Sequence, residues 1–285
     1  MAFWHLIAVA AGGAAFGFVG SKAFQRGLRR ARDDHSKRPA LWNRFYTIDW
    51  GDTTTNNYGY APAAGDHPQR FQHAMYLQLL DRLREERGEI SGMKVLEVSC
   101  GRGGGLNAFR CAAGDLDVTG LDVAQAAIAF CRRTYGEREN LHFVQGSALA
   151  LPFPDASFDV ILNVEASNDY GDRARFFREA SRVLKPDGLL LYADTVKQGR
   201  REAMEQELAA AGFDAELRDI TGNVAEACRL DTPRRREVIR RHAPLPVRLL
   251  LKRQLANYAA LEGSPKFTAF TEGRRKYLMT AASKA

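Results

Sequence analysis

The chain has 285 residues, of which 45% are hydrophobic and 26% are charged, and its formal net charge is +7 at pH 7. This composition is typical of a globular protein with a full apolar core, and it excludes collagen-like and intrinsically disordered chains. The four cysteines, Cys100, Cys111, Cys131 and Cys228, lack CxxC spacing and histidine partners, which argues against a disulfide framework or a zinc site and weakly favours a reducing compartment. We predict no metal site.

The first predicted element is an apolar helix at the N-terminus. The stretch from Phe3 to Gly20 contains no acidic residue, lysine or arginine, and its length of about 18 residues is at the lower limit for a membrane-spanning helix. Basic residues follow the apolar run rather than precede it, unlike the order in a signal peptide. We therefore predict that residues 1–21 are a membrane anchor that leaves the main domain on the cytoplasmic side. A helix packed on the domain or on another chain, as in an oligomer, is the alternative.

Residues 22–60 are predicted to be a basic linker followed by a segment that covers a bound cofactor, and residues 61–285 to be the main domain. Arg70 to Glu86 has apolar residues at helical spacing. Predicted strands then alternate with helices, at Lys94–Cys100, Asp117–Val123, Leu141–Gly146, Phe158–Glu165 and Gly188–Thr195. This order predicts an α/β fold with a doubly wound, mostly parallel sheet that helices cover on both faces.

Two further strands complete the predicted sheet. Asp214–Thr221 is the sixth strand and Arg274–Ser283 is the seventh. Residues 222–265 lie between them, have helical apolar spacing and are rich in basic residues. The sequence therefore predicts a seven-stranded sheet with an N-terminal helical extension and a helical insert between strands six and seven.

The turn after the first predicted strand, in KVLEVSCGRGGGLNAF, is rich in glycine. Gly101 and Gly103 allow a sharp turn and a close approach of a ligand to the main chain. The spacing differs from the G-x-G-x-x-G pattern of dinucleotide sites, because Glu97 precedes the glycines. Glu97 is suited to accept hydrogen bonds from a cationic amine, and Asp122, at the end of the second strand, is placed for a ribose diol. An amine and a nucleoside in one ligand describe S-adenosylmethionine.

Two later stretches, FVQGSALALPFPDASFDVILNVEAS and FFREASRVLKPDGLLLYAD, extend this pattern. Together the motifs resemble class I S-adenosylmethionine-dependent methyltransferases over about residues 94–195. The resemblance implies a Rossmann-like fold with S-adenosylmethionine as cofactor, and it assigns cofactor contacts to Glu97, Gly101, Gly103, Asp122, Val123, Ser147, Ala148 and Asn163. Many relatives have an aspartate at the position of Ser147, so we expect cofactor binding to be weaker here by about 1 kcal/mol.

The stretches NNYGYAP, HPQRFQHAMY and NVEASNDY look like those of methyltransferases that act on lipids, sterols and polyketides. The mycobacterial phthiotriol and phenolphthiotriol dimycocerosates methyltransferases are a similar group. That group has a histidine where this chain has Asn168. The resemblance implies a hydrophobic small-molecule or lipid acceptor, and it implies that Tyr58 closes over the cofactor.

Methyl transfer is an in-line displacement, in which the protein aligns the acceptor and removes its proton. The candidate catalytic residues for proton removal are Asp169, Glu165 and His73. Asp169 is the first choice, because it follows a strand end that faces the cofactor crevice. Each candidate has an alternative role. Asp169 would cap the next helix, Glu165 would be a cofactor-site or structural acid, and His73 would be a packing or surface residue. For Tyr58, the alternative is an ordinary aromatic residue of a loop.

The insert at residues 222–265 mixes leucines with arginines and lysines. Such a segment suits a lid over a hydrophobic substrate pocket or a helix on an anionic membrane surface, and a plain scaffold is the third option. We therefore predict a membrane-associated enzyme that transfers a methyl group from S-adenosylmethionine to a hydroxyl oxygen of a lipid, isoprenoid or polyketide-like acceptor.

Three other functions stay open at this point. Because the motif histidine is absent, methylation at carbon of an alkene, as in isoprenoids or sterols, is the main alternative. An RNA methyltransferase that uses the basic runs would bind with a steep salt dependence, but the N-terminal apolar helix argues against a nucleic-acid partner. A non-catalytic scaffold is the last alternative.

Overall fold

The computed structural model describes residues 38–136 and 138–285. The predicted anchor at residues 1–21 and most of the basic linker lie outside the described residues. Within the two described ranges, no helix is both long enough and apolar enough to cross a membrane.

Two helices precede the sheet, α1 (Arg38–Tyr46) and α2 (Arg70–Arg87). Met75, Leu79 and Leu83 of α2 have no exposed surface and recur at helical spacing, so this face of the helix packs into the core of the domain. The helix predicted at Arg70–Glu86 is confirmed.

The parallel part of the sheet follows, with strands and helices in alternation. Its elements are β1 (Lys94–Val98), α3 (Gly104–Ala113), β2 (Asp117–Asp122), α4 (Gln125–Tyr135), β3 (Leu141–Gln145), β4 (Phe158–Val164), α5 (Arg173–Val183), β5 (Leu184–Lys197) and α6 (Arg201–Ala210). Apolar side chains of α2, α3 and α4 cover one face, and those of α5 and α6 cover the other. The doubly wound, mostly parallel sheet is therefore confirmed.

The last part of the sheet is antiparallel. β8 (Arg275–Lys284) lies beside β5 and pairs on its other side with the short strands β6 (Phe213–Asp214) and β7 (Arg218–Asp219). The predicted sixth strand is thus interrupted at residues 215–217. Both short strands nevertheless share one register on β8, since Phe213 lies opposite Lys284 and Arg218 opposite Met279. The interruption is local, and the predicted seven-stranded arrangement is close to the observed one.

The insert between β7 and β8 is helical, as predicted. It contains α7 (Thr221–His242), α8 (Leu245–Leu250), α9 (Lys252–Tyr258) and α10 (Pro265–Thr271). Buried Asp231 of α7 accepts hydrogen bonds from Arg235 Nε at 2.8 Å and from Gln72 Nε2 of α2 at 2.8 Å. This buried polar network fixes the insert against the body of the domain.

The strand order is β3-β2-β1-β4-β5-β8-β6. The direction of winding therefore reverses between β1 and β4. In sheets of this type, the carboxyl ends of the strands at such a reversal border a crevice that binds ligands.

Candidate active site

Two residues at this reversal have an unusual backbone conformation. Ser99 directly after β1 has a φ of 67°, and Glu165 directly after β4 has a φ of 52°. Left-handed conformations cost residues other than glycine about 1–3 kcal/mol, and they cluster at functional sites. The ends of β1 and β4 thus mark the site by their backbone geometry.

Asn163 joins the two strand ends. Its Nδ2 donates to the carbonyl oxygen of Val98 at 3.0 Å and to the hydroxyl of Tyr170 at 2.9 Å. Tyr170 in turn is hydrogen-bonded to Ser99 Oγ at 2.7 Å. Asn163 has no exposed surface and is not among the residues that line the adjoining cleft, so its cofactor contact stays a prediction.

A cleft of about 180 Å³ opens at the carboxyl ends of β1, β2 and β4. Residues predicted to bind the cofactor form much of its wall, namely Gly101, Asp122, Val123, Ser147 and Ala148. These five residues lie at or just after the carboxyl ends of β1, β2 and β3, so the structure brings together parts of the chain that are distant in sequence.

The glycine-rich turn shapes one wall of the cleft. Gly101 and Gly103 have φ values of 56° and 72°, a left-handed conformation that glycine adopts without steric cost. Gly105 serves a different purpose, because a Cβ on it would lie 2.0 Å from Cζ of Tyr76. Only a glycine at this position lets Tyr76 reach the turn.

Glu97 lies behind this wall with 1% of its surface exposed. Its Oε1 accepts a hydrogen bond from the Tyr76 hydroxyl at 2.6 Å, whereas its Oε2 is buried without a hydrogen-bond partner among the described residues. Burial raises the pKa of Glu97 to about 7, although the bond from Tyr76 opposes this shift. A buried carboxyl oxygen without a partner fits the cationic amine of S-adenosylmethionine.

Asp122 is buried at the end of β2 and holds the glycine-rich turn. Its Oδ2 accepts from the backbone N–H of Gly101 at 2.9 Å, and its Oδ1 accepts from that of Ala124 at 2.8 Å. Burial raises the pKa of Asp122 to about 6, against the effect of these bonds. Each oxygen keeps a second lone pair, so the predicted ribose contact is compatible with this geometry.

Ser147, the position for which the resemblance implies an aspartate in many relatives, lines the cleft. Its Oγ accepts a hydrogen bond from the backbone N–H of Leu149 at 3.2 Å. The hydroxyl proton stays available for donation to a ligand, so the contact that Ser147 offers differs from that of a carboxylate.

Helix α1 contributes four residues to the cleft that the sequence did not predict, Arg38, Pro39, Trp42 and Tyr46. The Tyr46 hydroxyl lies so near the turn that a Cβ on Gly101 would be 2.6 Å from it. The i, i+4 pairs Leu41–Phe45 and Trp42–Tyr46 could have revealed this helix.

A second cavity, of about 610 Å³, adjoins the cleft. The two share Trp42, Tyr46, Thr55, Asn56, Arg102, Glu165 and Asp169 in their walls. Apolar and aromatic residues of the insert, such as Val238, Leu255 and Tyr258, cover the larger cavity together with Phe45 and Trp50. A ligand in this cavity would therefore meet the cofactor cleft at Glu165 and Asp169.

Tyr58 lines the large cavity and not the cleft. Its hydroxyl is hydrogen-bonded to Lys266 Nζ, and its ring packs edge-to-face on Phe270 with centroids 5.6 Å apart. A role for Tyr58 in covering the cofactor stays a prediction.

Among the three predicted catalytic residues, Glu165 is held by two donors. Its Oε1 accepts from the backbone N–H of Tyr58 and from the Tyr277 hydroxyl at 2.8 Å. Burial raises the pKa of Glu165 to about 8. A carboxyl with this pKa at the junction of two cavities has the properties of a general base that works near neutral pH.

Asp169 lies at the same junction. Trp42 Nε1 donates to its Oδ2 at 2.8 Å, and Arg38 lies 3.5 Å from its Oδ1. The alternative that Asp169 caps the next helix is wrong, since α5 begins at Arg173 and the side chain of Asp172 accepts the capping hydrogen bond.

His73 lies apart from the other two and lines neither cavity. Its ring stacks on that of His67 with centroids 4.5 Å apart. Burial, with smaller contributions from His67 and Arg234, lowers the pKa of His73 to about 4. The packing alternative for His73 therefore agrees with its surroundings better than the catalytic one.

A buried acid that the sequence did not single out lies beneath Asn168. Asp194 accepts from Asn168 Nδ2 at 2.6 Å and from the Asn168 backbone N–H at 2.9 Å. Burial raises the pKa of Asp194. Asn168, which lines the large cavity, is thus held in one orientation by a carboxyl that is remote in sequence.

Comparisons with known proteins agree with this geometry. A family model described as a methyltransferase domain matches residues 96–192. The chain is 38% identical over 203 residues to a probable phthiotriol/phenolphthiotriol dimycocerosates methyltransferase 2 of Mycobacterium ulcerans, which covers 71% of this chain and 75% of that protein. It is also 37% identical over 178 residues to a fatty-acid O-methyltransferase of Mycolicibacterium smegmatis, over 60% of this chain and 61% of that protein.

The fold is similar to that of a solved structure, the phosphoethanolamine N-methyltransferase 2 of Haemonchus contortus in complex with S-adenosyl-L-methionine. The TM-score is 0.60 at 19% sequence identity, over 73% of this chain and 52% of that chain. At this identity the similarity shows the fold alone.

Proposed function

We propose that this protein methylates a hydroxyl oxygen of a hydrophobic lipid, isoprenoid or polyketide-like acceptor. The premise is that the chain belongs to the S-adenosylmethionine-dependent methyltransferases. The observation that carries the proposal is the cavity of about 610 Å³ that adjoins the cofactor cleft. The aromatic and aliphatic part of its wall, which includes Phe45, Trp50 and Leu255, suits the apolar body of a ligand. The names of the relatives from M. ulcerans and M. smegmatis support a lipid as acceptor.

The residues of the cleft fit the cofactor. S-adenosylmethionine supplies a methyl group on a sulfonium, which makes it reactive toward nucleophiles. Glu97 would hold the amine, Asp122 the ribose, and Gly101 would let the ligand lie close to the main chain. Gly103 does not line the cleft, so its cofactor contact stays a prediction. Val123 and Ala148, which line the cleft, would offer apolar contact to the base.

Glu165 is the residue that we propose as the proton acceptor. Tyr58 and Tyr277 hold its Oε1, and no described residue is hydrogen-bonded to its Oε2. In its ionised form, Glu165 would take the proton of the acceptor hydroxyl as the oxygen forms its bond to the methyl carbon. Asp169 is the second candidate, because it also lies at the junction of the two cavities.

Methylation at carbon is a second candidate function, and one observation favours it. Trp42 and Tyr46 lie with Glu165 and Asp169 at the junction of the cavities. Aromatic faces and carboxylates attract cations, so these side chains would stabilise a carbocation formed when an alkene is methylated. The site of the transferred methyl group distinguishes the two reactions.

We also propose that the enzyme works at a membrane. In the insert, Leu245 and Leu249 are 56% and 70% exposed, and Arg248, Lys252 and Arg253 lie beside them in sequence. Exposed leucines among cations suit the surface of an anionic bilayer. The apolar stretch at residues 1–21 would be the stronger attachment and would keep the catalytic domain on the cytoplasmic side.

The test of the reaction uses the purified full-length protein, S-adenosylmethionine with a deuterated methyl group and a total lipid extract. Mass spectrometry should show a lipid that has gained one labelled methyl group. Fragmentation then places the label on oxygen or on carbon. If cofactor binding is normal and no lipid is labelled, the proposed acceptor class is wrong.

The test of the membrane contact uses vesicles that contain anionic lipid. Deletion of residues 2–21 should reduce co-sedimentation strongly, while cofactor binding is unchanged. Replacement of Leu249 by Asp in the truncated protein should abolish the co-sedimentation that remains. If the truncated protein binds vesicles as well as the full chain does, the N-terminal stretch is not the main attachment.

A further inference from the structure

Positive charge accumulates on one side of the large cavity. Lys197, Lys266 and Arg275 line this cavity and do not line the cofactor cleft. Lys197 of β5 and Arg275 of β8 are directly opposite each other in the antiparallel pair. Like charges at such positions destabilise a sheet, so the fold itself does not explain why both residues are cationic.

Lys266 of α10 adds a third cation, and it is the most enclosed of the three. Its Nζ is hydrogen-bonded to the Tyr58 hydroxyl and lies 5.0 Å from the centroid of the Tyr58 ring. Burial and, to a smaller extent, the charge of Arg275 lower the pKa of Lys266 to about 8, against the opposing charges of Glu165 and Asp169. Lys266 and Arg275 are therefore close enough to repel each other.

No carboxylate of the described ranges is close enough to these three side chains to form an ion pair, although the charges of Glu165 and Asp169 act on Lys266 from a greater distance. None of the three cations forms an ion pair within 4.0 Å across residues 38–136 and 138–285. The hydrogen bond of Arg275 goes to the neutral hydroxyl of Thr195 at 2.7 Å. Glu165 faces the same cavity and its charge raises the pKa of Lys266 against the effect of burial, but it forms no ion pair within 4.0 Å with any of the three cations.

Two other arginines of the cavity wall do form ion pairs. Arg234 and Arg235 lie 2.6 Å and 2.8 Å from the carboxylate of Asp231, so their charges are already balanced. Arg102 lines both cavities, and its hydrogen bonds go to the carbonyl oxygens of Thr53 and Ile48. Among the described cations that line the large cavity alone, Lys197, Lys266 and Arg275 are therefore those without an ion pair.

We propose that Lys197, Lys266 and Arg275 bind an anionic group of the methyl acceptor, either a carboxylate or a phosphate monoester. This inference rests on the proposed function and names the acceptor class, an amphiphile with an acidic group. Its apolar body would lie along Phe45, Trp50 and Leu255, which line the same cavity.

The anionic group holds the acceptor in place and does not itself receive the methyl group. The three cations line the large cavity alone, whereas Glu165 and Asp169 line both cavities. The methyl group arrives from the cleft, so the accepting atom would lie where the two cavities meet, a region whose walls include Glu165 and Asp169. The acceptor therefore needs a hydroxyl group or an alkene in addition to its acidic group.

The experiment compares the binding of dodecanoate, dodecyl phosphate and dodecanol to the full-length protein, below their micelle concentrations. Tryptophan fluorescence reports binding, since Trp42 and Trp50 line the cavity. At least one of the two anions should bind the wild-type protein about 10-fold or more tightly than dodecanol, as a hydrogen bond to a charged group contributes about 1.5–3 kcal/mol. The anion that shows the preference identifies the acidic group, and equal affinity for all three probes would overturn the proposal.

The variants Lys266→Met and Arg275→Met should each lose about 10-fold or more in affinity for that anion, with dodecanol affinity unchanged. The matched controls are Lys276→Met and Arg274→Met, whose side chains pair with Asp219 and Glu272 and do not line the cavity. Arg275→Lys keeps the charge and should retain most of the affinity. Equal losses for the anion and for dodecanol would contradict a charge-specific site.

The labelled-methyl assay separates this inference from the proposed function. If only neutral lipids are labelled and the two variants label them as well as the wild-type protein does, the reaction stands and the anion site is wrong. If the anion binds as expected but no lipid is labelled, the site stands and the proposed reaction is wrong. A label that mild alkali releases, as it does from a methyl ester, would show that the acidic group itself is methylated. That result would contradict a role of the acidic group in binding alone.

Discussion

Tyr76 donates a 2.6 Å hydrogen bond to Glu97 behind the glycine-rich turn, and the absence of a side chain at Gly105 gives Tyr76 the room to do so. The variant Gly105→Ala places a Cβ 2.0 Å from Cζ of Tyr76, which forces the ring away. We expect at least a 10-fold loss of cofactor affinity, roughly 1.4 kcal/mol, by isothermal titration with S-adenosylmethionine.

Gly222→Ala is the control for this variant. Gly222 also lies in a helix, but a Cβ there would have no heavy atom within 4 Å. This variant should keep its cofactor affinity and its thermal stability. If Gly105→Ala behaves in the same way, Tyr76 does not organise the cofactor site.

Glu97→Gln tests the amine contact. The substitution keeps the shape of the side chain and its bond from Tyr76, but it removes the carboxylate that would face a cationic amine. Because a hydrogen bond to a charged group contributes about 1.5–3 kcal/mol, cofactor affinity should fall by roughly 10- to 100-fold. Calorimetry at pH 8 gives the clearest contrast, since the wild-type carboxyl, with its pKa near 7, is then mostly ionised. Unchanged affinity would exclude Glu97 from the amine site.

The pH dependence of the reaction tests Glu165 as the general base. Its pKa is about 8, and only the ionised carboxylate accepts a proton. The wild-type kcat/KM should therefore rise with pH and level off above about 8, provided that acceptor and cofactor bind throughout this range. Glu165→Gln should lose roughly 10²- to 10⁴-fold in rate and should lose this pH dependence.

Two further variants decide between the candidate bases. His73→Gln should keep the wild-type rate, because His73 lines neither cavity. If Glu165→Gln retains the rate and Asp169→Asn loses it, Asp169 is the proton acceptor instead. The Asp169 variant also loses part of its contact with Trp42, so its cofactor affinity needs to be measured in parallel.

The stability of the ligand-free protein should fall as the pH rises from 6.5 to 8. The folded-state pKa values of Glu97 and Glu165 are raised from 4.5 to about 7 and about 8, so the folded protein binds more protons than the unfolded chain in this window. This contribution is present at low pH and is lost as the pH passes through the raised values. The free energy of unfolding should decrease by on the order of 1 kcal/mol per pH unit.

The titration of His73 limits the predicted fall in stability to pH values above about 6.5. Its pKa is lowered to about 4, so its contribution has the opposite sign below pH 6.5. Glu165→Gln should flatten the curve between pH 7 and 8, because the remaining titration of Glu97 is then opposed by that of Lys266, whose pKa is lowered to about 8 in the folded protein. Urea denaturation across the window measures both effects, and a stability that rises from pH 6.5 to 8 would show that the two carboxyls are not enclosed as described.

The cofactor side of the site could be predicted from the sequence because its signals are local. Glu97 and Gly101 lie within one strand and the turn that follows it, and Asp122 ends the next strand. The parallel order of the strands then brings these residues to one edge of the sheet. Short-range spacing and a simple rule of topology are sufficient for this step.

The acceptor side could not be predicted in the same way, since it depends on contacts between distant segments. Lys197 and Arg275 meet only because β8 returns antiparallel beside β5. The role of Asp169 was ambiguous because two aspartates precede α5, and the sequence does not fix a helix start to within a few residues. His73 lies near an apolar stripe whose periodicity says nothing about its partner His67.

Helix α1 supplies Trp42 and Tyr46 to the walls of both cavities. A displacement of this helix would therefore uncover the cofactor and the acceptor in a single event. In a catalytic cycle, the departure of the demethylated cofactor and that of the methylated product would then share one slow step. Rapid mixing would reveal such coupling as a burst of product in the first turnover, followed by a slower steady rate.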